Sequence, residues 1–248
     1  MLSTIFNHRS IRKYKNTQIS ESDLHEILEA GIRASNTGNM QVYSIIVTRD
    51  EEMKKKLAPT HFNQPMVTQA PVLLTFCADI NRFNKWCINR KAEPGYDNFL
   101  WFTNAAIDAI LAAQNCCIAA ESKGLGICYL GTTTYTADKI IEILNLPKGV
   151  IPITAVVVGY PDQNPALTDR LPIEAVVHYE TYKDYSTEDI NRLYADKEAL
   201  ESTKQLLIEN KKDTLAQIFT DNRYKKADNI HFSNVFFKVL KDQGFFNQ

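Results

Sequence analysis

Near the start of the chain stands His8-Arg9-Ser10-Ile11-Arg12-Lys13-Tyr14, with two arginines three apart and a serine between them. Guanidinium groups are forked, permanently charged donors, and serine adds a neutral one, so the set suits a phosphate. A solvated basic stretch near a terminus is the plainer reading of the same residues. Ala34-Ser35-Asn36-Thr37-Gly38-Asn39-Met40-Gln41 clusters amide and hydroxyl side chains around a glycine. It reads either as a polar clamp or as an ordinary loop between a helix and a strand. Gly124-Leu125-Gly126-Ile127-Cys128-Tyr129-Leu130-Gly131 superficially has the glycine pattern of a dinucleotide fingerprint. That fingerprint needs a strand before it and a helix after it, and here the order is reversed. Gly124 is then a helix stop, and Gly131 a place where backbone amides can approach a flat ligand. Gly159-Tyr160-Pro161-Asp162-Gln163-Asn164-Pro165, followed by Arg170-Leu171-Pro172, is a long loop carrying one arginine after a buried strand. Such loops are common binding places, and a plain surface loop fits equally.

Other chemistries are missing from the pattern. The histidines, His8, His25, His61, His178 and His231, form no HxH or HExxH pair. There is no GxSxG nucleophile elbow and no GxxxxGK[ST] phosphate loop. The five cysteines are odd in number and lack metal spacing; Cys77, Cys116, Cys117 and Cys128 sit in apolar runs and read as small core residues. If the chain is an enzyme, a cofactor carries the reaction. Lys and Arg total 28 against 29 Asp and Glu, so no global basic excess points to nucleic acid or membrane. No apolar run reaches the roughly 18 residues of a membrane span, and the start lacks the order of a secretory signal. The expectation is a soluble, cytoplasmic protein. With 44% hydrophobic and 23% charged residues the chain is globular rather than disordered.

These residues must be positioned by elements that the pattern predicts. Ser20 with Asp23 starts a helix carrying Leu24, Ile27, Leu28, Gly31 and Ile32. Strands are expected at Val42–Thr48, Pro71–Ala78, Ile127–Leu130 and Ile151–Val158, and helices at Asp50–Leu57, Asn98–Lys123 and Ala137–Leu144. Apolar runs without alternation imply strands buried on both faces. Too few regular βα units appear for a doubly wound sheet, so an α+β layered fold is expected. From about Ser186 the chain turns polar and helix-prone over Thr187–Lys212, then amphipathic over Ile230–Leu240.

Taken in order, the four motifs resemble the flavin-dependent nitroreductase family, and most of all its NADPH:flavin oxidoreductase and oxygen-insensitive nitroreductase branch. HRSIR is the most telling, followed by ASNTGNMQ, AAQNCCIAAESKGLG (residues 112–126) and GYPDQNPALTDRLP. The resemblance covers roughly residues 3–182. It implies a nitroreductase-like fold, with a central mixed β-sheet flanked by helices. Residues 1–185 would form the FMN-binding core and 186–248 a helical extension of the same domain. It also implies a homodimer with FMN at the interface. FMN would take hydride from NAD(P)H and pass it to a nitroaromatic, quinone or free flavin by a ping-pong mechanism.

Carried over residue by residue, Arg9 and Ser10 hold the FMN phosphate with His8 beside them, and Arg12 lies near the pyrimidine side of the ring. Asn36 and Thr37 are polar contacts. Gln64 bonds the ring edge, and Tyr129, Gly131 and Thr132 belong to the segment whose backbone faces flavin N5. Arg170 is a second phosphate arginine, and Lys211 and Lys212 stand where paired arginines often meet the NADPH 2′-phosphate. Two departures stand out. Thr168 replaces a lysine that usually lies two residues before the final arginine. The missing charge predicts a lower flavin potential than in typical members, measurable by side-by-side redox titration. Thr132 replaces a common second glycine, where threonine would restrict positive φ and crowd the N5 side. Alternatives left open are an FMN enzyme for one dedicated substrate, a non-catalytic flavin-binding module, and a surface for nucleic-acid phosphates.

Overall fold

The computed structural model describes residues 2–247. Its helices, in chain order, are α1 (Leu2–Phe6), α2 (Glu21–Ile32), α3 (Glu51–Leu57), α4 (Met66–Gln69), α5 (Asn81–Asn89), α6 (Phe99–Ser122), α7 (Ala137–Ile143), α8 (Thr187–Ala199), α9 (Glu201–Asn210), α10 (Leu215–Gln217) and α11 (Lys226–Asp242). The strands are β1 (Tyr43–Thr48), β2 (Val72–Asp79), β3 (Gly126–Leu130) and β4 (Val150–Gly159). Local chemistry sets many of these boundaries. The side chains of Ser20, Asp50 and Asn98 each accept a backbone N–H of the first helical turn that follows them. Gly124, at φ +77°, ends the longest helix. Elements α1, α4 and α5 exceed the expectation; of the residues in α5 only Cys87 is buried.

The chain divides into two compact units. One runs to Ala166 and resumes from Phe232; the other is Leu167–His231. In the first, the sheet order is β1-β2-β4-β3. Every pairing between these strands is antiparallel, which corrects the mixed sheet expected above. The lone parallel contact among the described residues is the isolated bridge Ser10–Ile127. Continuous apolar runs report burial on both faces and say nothing of direction. Here helices cover both faces of an antiparallel sheet. Val72, Leu74 and Phe76 of β2 pack with Leu24 and Ile27 of α2 and Ala109, Ala113 and Cys116 of α6. Leu73, pointing the other way, packs with Leu57, Met66, Val67 and Ile140. The pairing shifts by one residue where Cys77 meets Pro152, a residue with no N–H for the ladder.

A third cluster joins Val42, Ala78, Phe102 and Ile151 to Val239, Leu240 and Phe245 near the chain's end. All five cysteines are free and buried, as the apolar runs implied. Burial pushes the Cys77, Cys116 and Cys117 thiols up to about 12, so they pack as small apolar groups. Among the described residues no helix is long and apolar enough to cross a membrane.

The second unit holds α8, α9 and α10. Ser186 and Asp189 form a reciprocal capping box that starts α8. The helical stretch expected over Thr187–Lys212 breaks at Leu200, whose ψ of 138° is extended.

Candidate functional site

Strand β3 lies at the edge of the sheet, and the HRSIR segment docks against it. Ser10 bridges Ile127, and the Ile11 N–H donates to the Ile127 carbonyl at 2.8 Å. Further along, the Lys15 N–H donates to the Tyr160 carbonyl at 2.9 Å. Gly126 permits this approach: a Cβ there would lie 2.5 Å from Ile11 Cγ1 and 2.7 Å from Ile11 Cβ. Arg9, Ser10 and Arg12 therefore run beside the strand that leads to Tyr129, Gly131 and Thr132.

Arg9 shares an open cleft of about 380 Å³ with Asn7, Glu121, Gly124, Gly126 and Asn164. Its Nη1 donates to the Asn7 carbonyl at 3.1 Å. Its Nε is buried and has no partner among the described residues. A buried guanidinium donor without an acceptor is costly, and an anionic oxygen is what would satisfy it. Gly131, just after β3, borders open space. Its φ is not left-handed, and an added Cβ would meet nothing within 4 Å. Neither strain nor crowding calls for glycine there.

The expectation that Thr132 would oppose a positive φ is corrected: neither Gly131 nor Thr132 is left-handed. The turn after β3 closes instead through Thr133 N–H to the Leu130 carbonyl and Tyr135 N–H to the Thr132 carbonyl.

Helix α6 ties three of the candidate segments together through Asp108, which lies outside the sequence motifs, and through Gln114 and Glu121 of the AAQNCCIAAESKGLG motif. Asp108, 1% exposed, accepts from Thr37 N–H at 2.9 Å and from the Thr37 hydroxyl at 3.1 Å. Gln114 accepts from the Tyr129 hydroxyl at 3.2 Å. Glu121 lies 2.7 Å from His8 Nδ1. All three are polar residues of a mainly apolar helix that also carries Thr103, Asn104, Asn115 and Ser122, so polarity alone does not mark them in the sequence. Asn36 is spent locally: its Oδ1 accepts from Gln41 N–H at 3.2 Å. Thr37 likewise serves Asp108, and these side-chain bonds hold the Asn36–Thr37 loop to itself and to α6 rather than to the Arg9 segment.

Gln64 follows a turn anchored by His61, a residue outside all four motifs. His61 is 1% exposed, and its Nδ1 lies 2.9 Å from Thr132 Oγ1. Burial pushes its imidazole down to about 4. An unfolded histidine titrates near 6.5, so between those values the unfolded chain binds the extra proton and stability falls with pH. Relative to His61→Asn, the protein should lose about 3 kcal/mol between pH 7 and about pH 4, read from urea midpoints.

Arg170, Lys211 and Lys212 belong to the other unit. Arg170 donates to the neighbouring carbonyls of Thr168 and Asp169 and is exposed. Lys211 is a left-handed helix end at φ 52°, and Lys212 pairs with Asp221 at 2.7 Å.

An α+β core with an arginine-lined cleft beside an edge strand defines the class of this chain, and comparison gives the family. The nitroreductase family profile matches residues 5–160, and the chain belongs to that family. It is 36% identical over 189 residues to the NADPH-flavin oxidoreductase of Vibrio harveyi, covering 76% of this chain and 77% of that protein. It is 37% identical over 190 residues to the FMN reductase (NADPH) of Bacillus subtilis, covering 76% of each. Among solved structures, one from Bacteroides fragilis is 55% identical with a TM-score of 0.97, over 99% of this chain and 100% of that one. The Vibrio harveyi NADPH:FMN oxidoreductase complexed with NAD+ is 31% identical with a TM-score of 0.81, over 100% and 99%.

Proposed function

We propose that the chain is an NAD(P)H-dependent FMN oxidoreductase acting as a flavin or nitro reductase. The observation that carries this is the buried, unpartnered Arg9 Nε in a cleft beside β3. The oxidoreductase relatives matched along three quarters of the chain support it. When bound, FMN supplies the hydride chemistry between NAD(P)H and an electron-poor acceptor, in alternating half-reactions.

The residues fit such a group. Arg9 and Ser10 hold the phosphate, with His8 kept in place by Glu121. Arg12 places a permanent positive charge near the ring, which favours the anionic reduced form. Gln64, Tyr129, Gly131 and Thr132 line the ring edge, and a backbone N–H at this segment orients it. Asp108 holds the loop of Asn36 and Thr37. Arg170 as a second phosphate arginine and Lys211 and Lys212 as contacts of the NADPH 2′-phosphate belong to the proposal. So do a cytoplasmic location and a single domain with a core of 1–185 and an extension of 186–248. The burial of Val239, Leu240 and Phe245 in the third cluster supports that extension's membership.

A homodimer completes the reading. Leu100, Ile107, Ile110 and Leu111 are 65%, 49%, 48% and 40% exposed along one side of α6, while its other side is core. A helix apolar on both sides needs a second partner for the open one.

The test is an absorbance spectrum of purified protein before and after anaerobic NADPH. Visible flavin bands that bleach support the reading. Bands that persist with both NADPH and NADH favour a flavin-binding module. A colourless protein that FMN cannot reconstitute sinks it.

A further inference from the structure

Residues 58–64 make a tightly bonded local arrangement in the first unit. Ala58–His61 is a single 3₁₀ turn. The Thr60 hydroxyl donates to the Leu57 carbonyl at 2.7 Å, and the Thr136 hydroxyl donates to the Thr60 carbonyl at 2.6 Å. Immediately after His61 the chain takes two consecutive left-handed residues, Phe62 and Asn63, each at φ 54°. Neither is glycine, and an aromatic residue in that region is unfavourable. Such strain persists only where surrounding bonds over-determine it. Those bonds are present: Phe62 N–H to the Pro59 carbonyl at 3.1 Å, Asn63 N–H to the Ala58 carbonyl at 2.9 Å, and Gln64 N–H to the His61 carbonyl at 3.2 Å.

His61 thus faces two segments at once. Its carbonyl holds the residue that begins the Gln64 stretch, and its imidazole reaches 71 positions along the chain to the Thr132 hydroxyl. We propose that His61 is a positioning residue that locks the Thr132 hydroxyl and joins the Gln64 turn to the Gly131–Thr132 segment as one rigid rim for the flavin edge. This rests on the FMN reading given above.

The chemistry favours a lock over a chance contact. A threonine hydroxyl has one donor and two acceptor directions, and it rotates to suit its neighbours. Whichever ring tautomer is present, the imidazole takes one of those directions, and so holds Oγ1 in place and narrows the rotation of its hydrogen. Burial keeps the ring neutral at ordinary pH, so the bond does not depend on a charge that comes and goes. Thr132 itself is only half-buried, and Gly131 before it is exposed, so the held hydroxyl keeps a further direction toward a ligand. A small flexible residue at 132 would leave that edge soft. A fixed hydroxyl makes contact with the ring and the acceptor directional, and sets which acceptors fit.

The experiment compares His61→Leu, His61→Asn, Thr132→Val and Thr132→Ser in the full-length protein. FMN affinity is read by fluorescence titration and flavin midpoint potential by dye-linked reduction. Thr132→Val keeps the shape and removes the hydroxyl. Each of His61→Leu and Thr132→Val should weaken FMN binding about tenfold, the scale of one neutral hydrogen bond. Each should also shift the potential. The double variant should lose no more than either single, since both remove the same bond. Thr132→Ser and His61→Asn, which retain a polar atom near the lost one, should restore both readings. A merely structural role would lower stability without moving the potential of bound flavin. Losses that add in the double variant, or Thr132→Val that matches the unaltered protein, overturn the proposal. If His61→Leu does not fold, the Thr132→Val and Thr132→Ser pair decides alone. Failure of the unaltered protein to bind FMN would overturn the underlying reading, and would be seen before any variant was made.

Discussion

Arg9→Ala should weaken FMN binding by about a hundredfold while leaving the fold intact. Arg9 contributes little to the protein's own structure: among the described residues, one bond to the Asn7 carbonyl at 3.1 Å. Its Nε is buried without a partner, so a donor is held ready and unspent. A charge-assisted hydrogen bond to a phosphate contributes roughly 1.5–3 kcal/mol, and a forked guanidinium makes two. Loss of the larger figure corresponds to about two decades in affinity. Arg9→Lys should recover only part of this, since an ammonium keeps the charge and loses the fork. Fluorescence titration of FMN reads the affinity, and thermal unfolding confirms the fold. If the HRSIR segment were only a solvated basic stretch, Arg9→Ala would bind FMN as well as the unaltered protein.

The other large effect concerns assembly. Ile107→Asp with Leu111→Asp should raise the dimer dissociation constant by at least about a thousandfold, so that light scattering reads one chain where the unaltered protein reads two. Both residues lie a turn apart on the open side of α6, 49% and 40% exposed in the single chain. The substitutions therefore introduce carboxylates that water can solvate in the monomer, and the fold is spared. In a two-fold contact each change occurs twice, which puts four carboxylates into an apolar interface at several kcal/mol each. If FMN sits at the interface, flavin retention should fall with the dimer. A protein that is monomeric without any substitution would remove the dimer from the functional reading and leave the Arg9 result untouched.

Much of the local architecture is legible in the order of the residues. Ser20, Asp50 and Asn98 sit where helices begin, because a cap acts on N–H groups two or three residues away. The run Pro71–Ala78 reads as a buried strand, and every residue of β2, Val72–Asp79, is buried. The HRSIR segment is legible from residue types alone as a candidate for holding a phosphate, beside the plainer reading of a solvated basic stretch. Its docking on an edge strand is not, because that depends on Gly126 leaving room for Ile11. The mixed sheet expected from the sequence is antiparallel in the fold, because two-sided burial comes from helices on both faces whatever way the strands run.

By itself, then, the sequence determined where several of the helices and strands begin and which runs are buried, and it marked arginines as candidates for an anion. Caps, periodicity and charge act within a few residues and leave a local trace. Only the tertiary structure decided what Asp108, Glu121 and His61 do. Their partners Thr37, His8 and Thr132 lie 71, 113 and 71 positions away. No local pattern records such pairs. They form because packing α6 and the Ala58–His61 turn against the sheet removes water from these side chains, and each must then find its hydrogen bond within the protein.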